Sequence, residues 1–229
     1  MAGLGTRFSQ AGYTVPKFQV LAHGRSLLEW SLTSLEQFFH HPFTFVLLKN
    51  AAHSAFIRAA SAALGISSVS ICEIDAVTSG QAETALLGLN ATPEESGPIM
   101  IYNIDTYVEP WALSPQSIRG AGWIPCFEAE GDAWSFVTFD KAMRVDQVVE
   151  KRRISPFATI GLYYFESTFL YRDAYRRYDF AGYKERFVAP LYEELLRQGH
   201  PIYTTLVAPR AMHPLGTPEQ VKLFESLKT

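Results

Sequence analysis

A glycine-rich run with a cation inside it stands at the start of the sequence and has the composition of a phosphate-binding loop. Gly3 and Gly5 let the backbone approach a ligand closely, and successive amide groups in such a loop form a concavity that binds anions. Arg7 lies within the run and Lys17 follows a short distance later, so two cations accompany the backbone donors. The run lacks the Walker-loop lysine, and Phe8 stands where a dinucleotide-binding loop has its third glycine. This pattern alone leaves a polyphosphate loop and an ordinary turn equally open.

An aspartate at the end of an apolar strand is the second candidate. Residues 99–104 form a short apolar run, and Asp105 follows it directly. Ligands of open α/β sheets bind at the carboxyl ends of strands, so this is the expected place for a metal ligand. Mg²⁺ bound to nucleotide phosphates typically takes one or two protein carboxylates together with phosphate and water oxygens. The alternative is an aspartate that only ends the strand in a turn.

A carboxylate and an ammonium group stand side by side at the end of a later strand. Glu150 and Lys151 could bind hydroxyls and a phosphate, respectively. Neighbouring residues on a strand point to opposite faces, so their spacing alone favours a solvated charge pair. The sequence contains neither the H-E-x-x-H pattern of a zinc helix nor the G-x-S-x-G pattern of a nucleophile elbow.

The elements that must position these residues alternate between helix and strand in the first half of the chain. Ser26 and Glu29 form a capping box at the start of the first of these helices. Further helices are predicted over 52–64 and 81–90, and strands over 43–48, 69–74 and 99–104. This alternation predicts a mostly parallel, doubly wound sheet flanked by helices. Short strands over 122–127, 134–139, 145–149 and 158–165 favour an antiparallel or mixed extension, and helices return over 187–197 and 218–227.

The composition limits the class of protein and its partners. A chain of 229 residues that is 48% hydrophobic and 19% charged is typical of a globular protein, and no linker divides it, so we expect one domain over residues 1–229. Its net charge of −3 argues against nucleic-acid binding, and no apolar run is long enough to cross a bilayer. Cys72 and Cys126 are far apart, which favours free thiols in a reducing cytoplasm.

Taken together, these blocks resemble the sugar-phosphate nucleotidyltransferases, or nucleoside-diphosphate-sugar pyrophosphorylases. After the glycine-rich run and Lys17, similar blocks follow in that family's order at 79–85, 103–105, 150–151, 158–165 and 215–219. Residues 134–135 and 187–192 further resemble small bacterial members associated with capsule or surface-polysaccharide genes. Some of these relatives transfer a cytidylyl group to phosphorylated compounds that are not sugars.

The resemblance implies a fold. It is the nucleotide-diphospho-sugar transferase fold, a Rossmann-like, three-layer α/β/α sandwich with a mostly parallel mixed sheet. In that fold a strand directly precedes the glycine-rich loop, and it is missing before Met1. We therefore expect a longer native protein that begins with a short apolar strand.

The resemblance also implies roles for matched positions on the nucleotide side. The loop would hold the NTP phosphates, two cations would neutralise charge as pyrophosphate leaves, a carboxylate would hold Mg²⁺, and two residues would lie near the base. In that order, these are Gly3, Leu4, Gly5 and Thr6 for the loop, Arg7 and Lys17 for the cations, Asp105 for the metal, and Gly80 and Gln81 for the base.

On the acceptor side, the resemblance implies that Glu150 contacts hydroxyls, that Lys151 contacts the phosphate, and that Thr159 and Gly161 line the pocket. A phosphate oxygen of the acceptor would attack the α-phosphorus of the NTP. A phosphate monoester is already a nucleophile at neutral pH, so catalysis reduces to alignment and charge neutralisation.

One departure from the family pattern leaves alternatives open. Many relatives have a second metal-binding aspartate where this sequence has Pro214, preceded by His213. We expect transfer to a sugar 1-phosphate, with a cytidylyltransferase for a non-sugar phosphate or a catalytically silent nucleotide-binding regulator as alternatives. A dinucleotide-dependent oxidoreductase is disfavoured by Phe8. The base, the acceptor and a possible homo-oligomer are not fixed by the sequence.

Overall fold

The computed structural model describes residues 5–92 and 96–227, which cluster into two compact units. Unit 1 contains residues 5–77, 103–113 and 210–227, and unit 2 contains residues 78–92, 96–102 and 114–209. Gly3 and Leu4 lie outside the described residues. The single domain expected over residues 1–229 stays a prediction.

Both units contain helices and strands, and unit 2 includes a long run of consecutive strands. The helices are α1 (Thr6–Gln10), α2 (Leu27–Thr33), α3 (Ala51–Ala63), α4 (Gln81–Asn90), α5 (Thr168–Arg177), α6 (Leu191–Arg197) and α7 (Pro218–Ser226). The strands are β1 (Leu21–Ala22), β2 (Arg25–Ser26), β3 (Phe43–Leu48), β4 (Val69–Ile74), β5 (Ile99–Tyr102), β6 (Thr106–Val108), β7 (Gly122–Trp123), β8 (Cys126–Glu128), β9 (Ser135–Phe139), β10 (Val145–Glu150), β11 (Phe157–Thr159), β12 (Leu162–Phe165), β13 (Ile202–Tyr203), β14 (Leu206–Val207) and β15 (Met212–Pro214). Unit 1 holds α1–α3, α7, β1–β4, β6 and β15, and the other elements belong to unit 2.

The mixed α/β class agrees with the sequence, but the share of parallel pairing is lower than expected. Among the described residues, the parallel pairs are β3·β4, β7·β13 and β8·β14. The remaining pairs, including β9·β10 and β5·β12, are antiparallel. The reason is that the strands of the middle segment are short and closely spaced, and tight turns can join only antiparallel neighbours.

Several predicted elements have different ends for local reasons. The strand expected over 122–127 is split into β7 and β8 at Pro125, which lacks a backbone N–H for the ladder. The strand expected over 158–165 is split at Gly161, whose φ of +83° turns the chain. The helix expected from residue 187 begins only after Pro190, as α6. Sequence analysis missed α5, whose Ser167 hydroxyl accepts a hydrogen bond from the Leu170 amide.

An aromatic cluster fixes the elements of unit 1 behind the candidate site. The Trp30 ring lies 4.8 Å from the Tyr107 ring and 5.0 Å from the Phe224 ring, centroid to centroid. These rings join α2, β6 and α7, and Phe8 of α1 is buried in the same cluster. Large buried aromatic side chains dominate the packing energy of a core, so the relative positions of these elements depend on this cluster.

Unit 2 has a separate aromatic core. Phe165 of β12 stacks on Tyr192 of α6 at 4.5 Å and meets Tyr171 of α5 edge-on at 5.1 Å. All three side chains are buried, so they hold two helices against the strand. None of the helices in the described ranges is long and apolar enough to span a membrane.

The capping box of α2 supports a stability prediction. The Ser26 hydroxyl accepts a hydrogen bond from the Glu29 amide at 3.2 Å, and the Glu29 carboxylate accepts one from the Ser26 amide at 2.8 Å. Ser26→Ala removes this cap and should lower the free energy of unfolding by about 1 kcal/mol. Urea unfolding measures the change. Ser26→Thr, which keeps the hydroxyl, should lose clearly less, and equal losses would contradict the capping role.

Candidate active site

The described part of the glycine-rich run forms the start of a short helix. Gly5 is the N-cap residue of α1 and has a φ of +60°, a conformation that favours glycine. A Cβ atom at Gly5 would lie 3.5 Å from the Cβ atom of Lys17, so the chain passes close to that lysine. Thr6 and Arg7 are exposed, while Phe8 is buried and anchors the helix.

Lys17 is the point at which three distant segments of unit 1 meet. Its Nζ atom donates hydrogen bonds to Asp105 Oδ2 at 2.8 Å and to the carbonyl oxygen of Gly216 at 3.3 Å. The same Nζ atom lies 5.5 Å from the centroid of the Phe8 ring. The Lys17 side chain is 18% exposed and that of Asp105 is 35% exposed, so the ion pair is partly shielded from water.

Backbone contacts hold Asp105 where the strand pair β6·β15 begins. Pro214 pairs with Thr106 in this antiparallel ladder, and the Leu215 amide donates to the Asp105 carbonyl at 2.8 Å. The Ser31 hydroxyl, on α2, donates to the carbonyl of Asn103 at 2.8 Å. The backbone at Asp105 is therefore held by a main-chain hydrogen bond from Leu215, and the preceding segment is held by a side-chain hydrogen bond from Ser31.

The turn before α7 supplies the backbone carbonyl that Lys17 contacts. The Gln220 side-chain oxygen accepts hydrogen bonds from the amides of Gly216 at 2.9 Å and Thr217 at 3.1 Å. A Cβ atom at Gly216 would lie 3.2 Å from that oxygen and 3.6 Å from Asp105 Oδ2. A larger residue would thus crowd both the helix cap and the carboxylate.

The chemistry of these donors fits a hard cation with few protein ligands. Asp105 offers a partly exposed carboxylate, and Mg²⁺ often takes one protein carboxylate when nucleotide phosphates supply other oxygens. Many relatives have a second metal-binding aspartate where this chain has Pro214, and neither Pro214 nor the preceding His213 supplies a second carboxylate for a metal. Pro214 lies in β15, and the His213 ring packs on Tyr107 and Phe224, where burial lowers its pKa. Within residues 5–92 and 96–227, no group of three or more His, Cys, Asp or Glu side chains forms a metal site.

In unit 2, Gly80 holds a position that excludes a side chain. Its φ is +148°, and a Cβ atom there would lie 2.5 Å from the backbone nitrogen of Arg186. Arg186 pairs with this segment through its main chain, donating to Ser79 at 2.8 Å and accepting from Ala82 at 2.8 Å. Gln81 opens α4 directly after this contact. The loop that was expected near the base is therefore held by a segment that sequence analysis did not select.

The expected acceptor residues also lie in unit 2. Glu150 ends β10 and is buried, and its Oε2 atom accepts a hydrogen bond from the Ser135 hydroxyl. Burial raises the pKa of Glu150, opposed by the Ser135 hydrogen bond and the Lys151 charge, while Glu185 adds to the rise. Thr159 is buried and lies 3.0 Å from the Tyr163 hydroxyl, oxygen to oxygen.

Lys151 and Gly161 complete this group with unusual backbone conformations. Lys151 has a φ of +50°, a left-handed conformation that costs a non-glycine residue about 1–2 kcal/mol. Its Nζ atom lies 4.1 Å from the centroid of the Phe187 ring. Gly161 turns the chain between β11 and β12.

The structure thus brings together two groups of predicted residues. Lys17 and Asp105 meet in unit 1, and Glu150 and Thr159 are linked in unit 2 through residues the sequence analysis did not select. Sequence analysis gave no site role to Gly216 and Gln220 of unit 1 or to Ser135, Tyr163 and Arg186 of unit 2. The alternation of β9 and β10 could have signalled that Ser135 faces Glu150, but only with the strand register known.

Comparison with known proteins identifies similar structures. The crystal structure of the nucleoside-diphosphate-sugar pyrophosphorylase from Vibrio cholerae RC9 matches with a TM-score of 0.93 and 34% sequence identity, covering 99% of this chain and 98% of that chain. The structure of the inositol-1-phosphate CTP transferase from T. maritima matches with a TM-score of 0.76 and 16% identity, covering 97% and 90%, respectively. Neither a protein-family model nor a curated protein matches the sequence. These similarities confirm the nucleotide-diphospho-sugar transferase fold.

The close approach at Gly80 predicts a large stability effect. Gly80→Ala places a Cβ atom against the Arg186 backbone and should lower the free energy of unfolding by about 3 kcal/mol. Gly131→Ala is the matched control, because Gly131 has a φ of +73° and an added methyl group there would meet nothing within 4 Å, so it should cost only about 1 kcal/mol. Urea unfolding of both variants compares them, and equal losses would contradict a steric role for the Arg186 contact.

The raised pKa of Glu150 predicts a pH-dependent stability difference. The pKa of Glu150 in the folded protein lies above its ordinary value of 4.5, so the folded protein holds this proton more tightly than the unfolded chain does. The protonated carboxyl therefore contributes stability below pH 4.5, and this contribution is lost as the pH rises through the folded-state pKa. Glu150→Gln cannot ionise, so its stability relative to the wild type should increase as the pH rises above about 4.5. Urea unfolding at several pH values tests this, and a relative stability that falls with rising pH would contradict it.

Proposed function

The chain belongs to the nucleoside-diphosphate-sugar pyrophosphorylase family, and we propose that it transfers a nucleotidyl group from an NTP to a sugar 1-phosphate, giving an NDP-sugar and pyrophosphate. It is a nucleotidyltransferase. The contact of Lys17 Nζ with Asp105 Oδ2 at 2.8 Å and with the Gly216 carbonyl at 3.3 Å carries this proposal. It joins three segments that resemble separate blocks of the family.

The reaction needs alignment and positive charge more than a base. A phosphate oxygen of the acceptor forms a bond to the α-phosphorus of the NTP, and the bond from that phosphorus to the oxygen bridging the β-phosphorus breaks. The electron pair leaves with pyrophosphate. A phosphate monoester has a second pKa of about 6, so at neutral pH the attacking oxygen is already anionic. The protein must therefore offset negative charge as it develops.

Residues of unit 1 are assigned to the nucleotide phosphates. Lys17 supplies an ammonium group whose position is set by two hydrogen bonds, and the exposed Arg7 supplies a second cation. Gly5 gives the loop the left-handed conformation that brings backbone amides close to an anion. Asp105 would hold a divalent cation, which when bound neutralises phosphate charge and orients the phosphates.

Residues of unit 2 are assigned to the acceptor and the base. Glu150 is proposed to accept a hydrogen bond from an acceptor hydroxyl, and Lys151 to contact the acceptor phosphate. Thr159 and Gly161 line the acceptor pocket in this assignment. Gly80 and Gln81 are assigned to the base from the family resemblance, and the Arg186 backbone holds this loop at the start of α4.

The wider context stays a prediction. We propose a cytoplasmic enzyme of the capsule or surface-polysaccharide type, without nucleic-acid or membrane partners, and a homo-oligomer is possible within this proposal. One observation favours a second function. Asp105 is the expected metal ligand, yet Pro214 takes the place of a second aspartate and His213 is packed among aromatic rings. A homologue that binds nucleotide without turnover would have this feature.

Substitution of the ion pair tests the proposed function. Four NTPs are combined with sugar 1-phosphates, inositol 1-phosphate and small phosphorylated alcohols or amides in the presence of Mg²⁺, and pyrophosphate release is measured. The wild type should turn over at least one combination. Lys17→Ala and Asp105→Asn should each lower that turnover by about 100-fold or more, because the first removes a cation that offsets phosphate charge and the second weakens the site for the divalent cation.

Arg176→Ala is the matched control. Arg176 is also ion-paired, with Asp173, but its side chain is 72% exposed, so this pair should contribute little. The variant should keep wild-type turnover. The proposed enzyme would be contradicted if the wild type released no pyrophosphate with any combination of the panel. If calorimetry then showed Mg²⁺-independent nucleotide binding, the protein would be the nucleotide-binding regulator without turnover.

A further inference from the structure

A carboxylate and a hydroxyl group face each other across two strands of unit 2. Glu150 of β10 and Ser135 of β9 are direct partners in the antiparallel register, so their side chains share one face of the sheet. The Ser135 hydroxyl donates a hydrogen bond to Glu150 Oε2. Ser135 has no role in the assignments above, although it is the group that holds the carboxylate.

Two further hydroxyl groups lie close to this pair, one on the neighbouring strand β11 and one on β12 of the other sheet of unit 2. Ala158 of β11 pairs with Phe136 of β9, which places Thr159 beside Ser135 on the same face. The Thr159 hydroxyl lies 3.0 Å from the Tyr163 hydroxyl, and Tyr163 interacts with both Ser135 and Glu150. Thr159 and Tyr163 are each only 4% exposed. A carboxylate and three hydroxyl groups thus form one connected cluster, which is buried except for the half-buried Ser135.

The cluster leaves one carboxylate oxygen for a ligand. Glu150 is 8% exposed, and burial at this level is unfavourable for a carboxylate unless its oxygens are hydrogen-bonded. Oε2 is bonded to Ser135. Oε1 has no hydrogen-bond partner among the described residues and is not one of their fully buried unpartnered atoms, so it is accessible from outside the cluster. The charged neighbours of Glu150 are Lys151 and Glu185, and Lys151 extends toward the Phe187 ring. A hydroxyl donor from a ligand would complete the hydrogen bonding of Glu150.

We propose that Ser135 is a positioning residue for the acceptor. By bonding Oε2, it fixes the Glu150 carboxylate in the orientation that presents Oε1 to one hydroxyl group of the phosphorylated acceptor. The Tyr163 hydroxyl, which is paired with the Thr159 hydroxyl, packs next to Ser135 and Glu150 in the same cluster. This inference rests on the proposed function, because it gives Ser135 a role in the same acceptor site. It concerns acceptor recognition and leaves the nucleotide side unchanged.

Ser135→Ala tests the role of this hydroxyl. The variant should raise the KM for the acceptor by about tenfold and leave the KM for the NTP unchanged. A tenfold change corresponds to the free energy of one hydrogen bond to a charged group. Ser135→Thr keeps a hydroxyl at this position and should restore much of the acceptor KM. An unchanged acceptor KM, or an equal rise in the KM for the NTP, would overturn the proposal.

Thr138→Ala is the matched control on the same two strands. The Thr138 hydroxyl donates to the Asp146 carboxylate, so it forms the same kind of bond between β9 and β10, but here the carboxylate is exposed, whereas that of Glu150 is buried. A bond that only stabilises the strand pair would give the same kinetic effect at both positions. Thr138→Ala should therefore leave the acceptor KM unchanged, and a shift equal to that of Ser135→Ala would contradict a specific role for Ser135.

Deoxy acceptors give a second readout that a structural role would not change. The acceptor with the highest turnover is compared with its monodeoxy analogues in the wild type and in Ser135→Ala. For the analogue that lacks the hydroxyl bound by Glu150, the effect of Ser135→Ala should disappear. A constant effect across all analogues would overturn the proposal.

The controls separate this inference from the proposed function. Urea unfolding establishes that each variant folds, and Ser135→Cys, a poor donor of similar size, replaces the alanine variant if that one does not. Absence of wild-type turnover would count against the proposed function alone. Calorimetric titration with glucose 1-phosphate then compares the wild type and Ser135→Ala directly, and equal affinities, or no binding to either protein, would reject the role of Ser135.

Discussion

Lys17 contacts three segments of unit 1 that are far apart in the sequence, and the candidate site depends on this arrangement. Its ammonium group lies between the Asp105 carboxylate, the carbonyl of Gly216 and the Phe8 ring. Asp105 directly precedes β6, Gly216 precedes the N-cap of α7, and Phe8 lies within α1. Because both charges are partly shielded, each needs the other when no ligand is bound. Under the proposed function, a nucleotide phosphate that binds Lys17 would compete with this carboxylate.

The packing behind the ion pair explains how such a contact is maintained. Phe8, Trp30, Tyr107 and Phe224 bring α1, α2, β6 and α7 into one cluster. Gln220 then orients the turn that carries the Gly216 carbonyl. In unit 2, strand register has the corresponding role, because it sets Ser135 opposite Glu150. The aromatic cluster thus positions the Lys17–Asp105 ion pair, and the strand ladder positions Glu150.

The sequence predicted what depends on local chemistry. The capping box at Ser26 and the strands Phe43–Leu48 and Val69–Ile74 are confirmed, because caps and short apolar runs are encoded by neighbouring residues. Asp105 and Lys17 were selected separately, but their contact spans 88 positions and cannot be derived from spacing. The Gly216 carbonyl carries no residue-type signal because it is a backbone group. The helix Thr168–Arg177 was missed although Leu170, Tyr171 and Ala174 form a buried stripe at helical spacing.

The central claim is that a phosphate oxygen of the acceptor attacks the α-phosphorus of the NTP under the influence of the Lys17–Asp105 site. The most direct test uses an acceptor whose non-bridging phosphate oxygens carry ¹⁸O, with products analysed by ³¹P NMR. The account predicts that the label enters the oxygen that bridges the two phosphates of the product and that pyrophosphate carries none. Label in pyrophosphate, or formation of a nucleoside monophosphate without the labelled bridge, would contradict it.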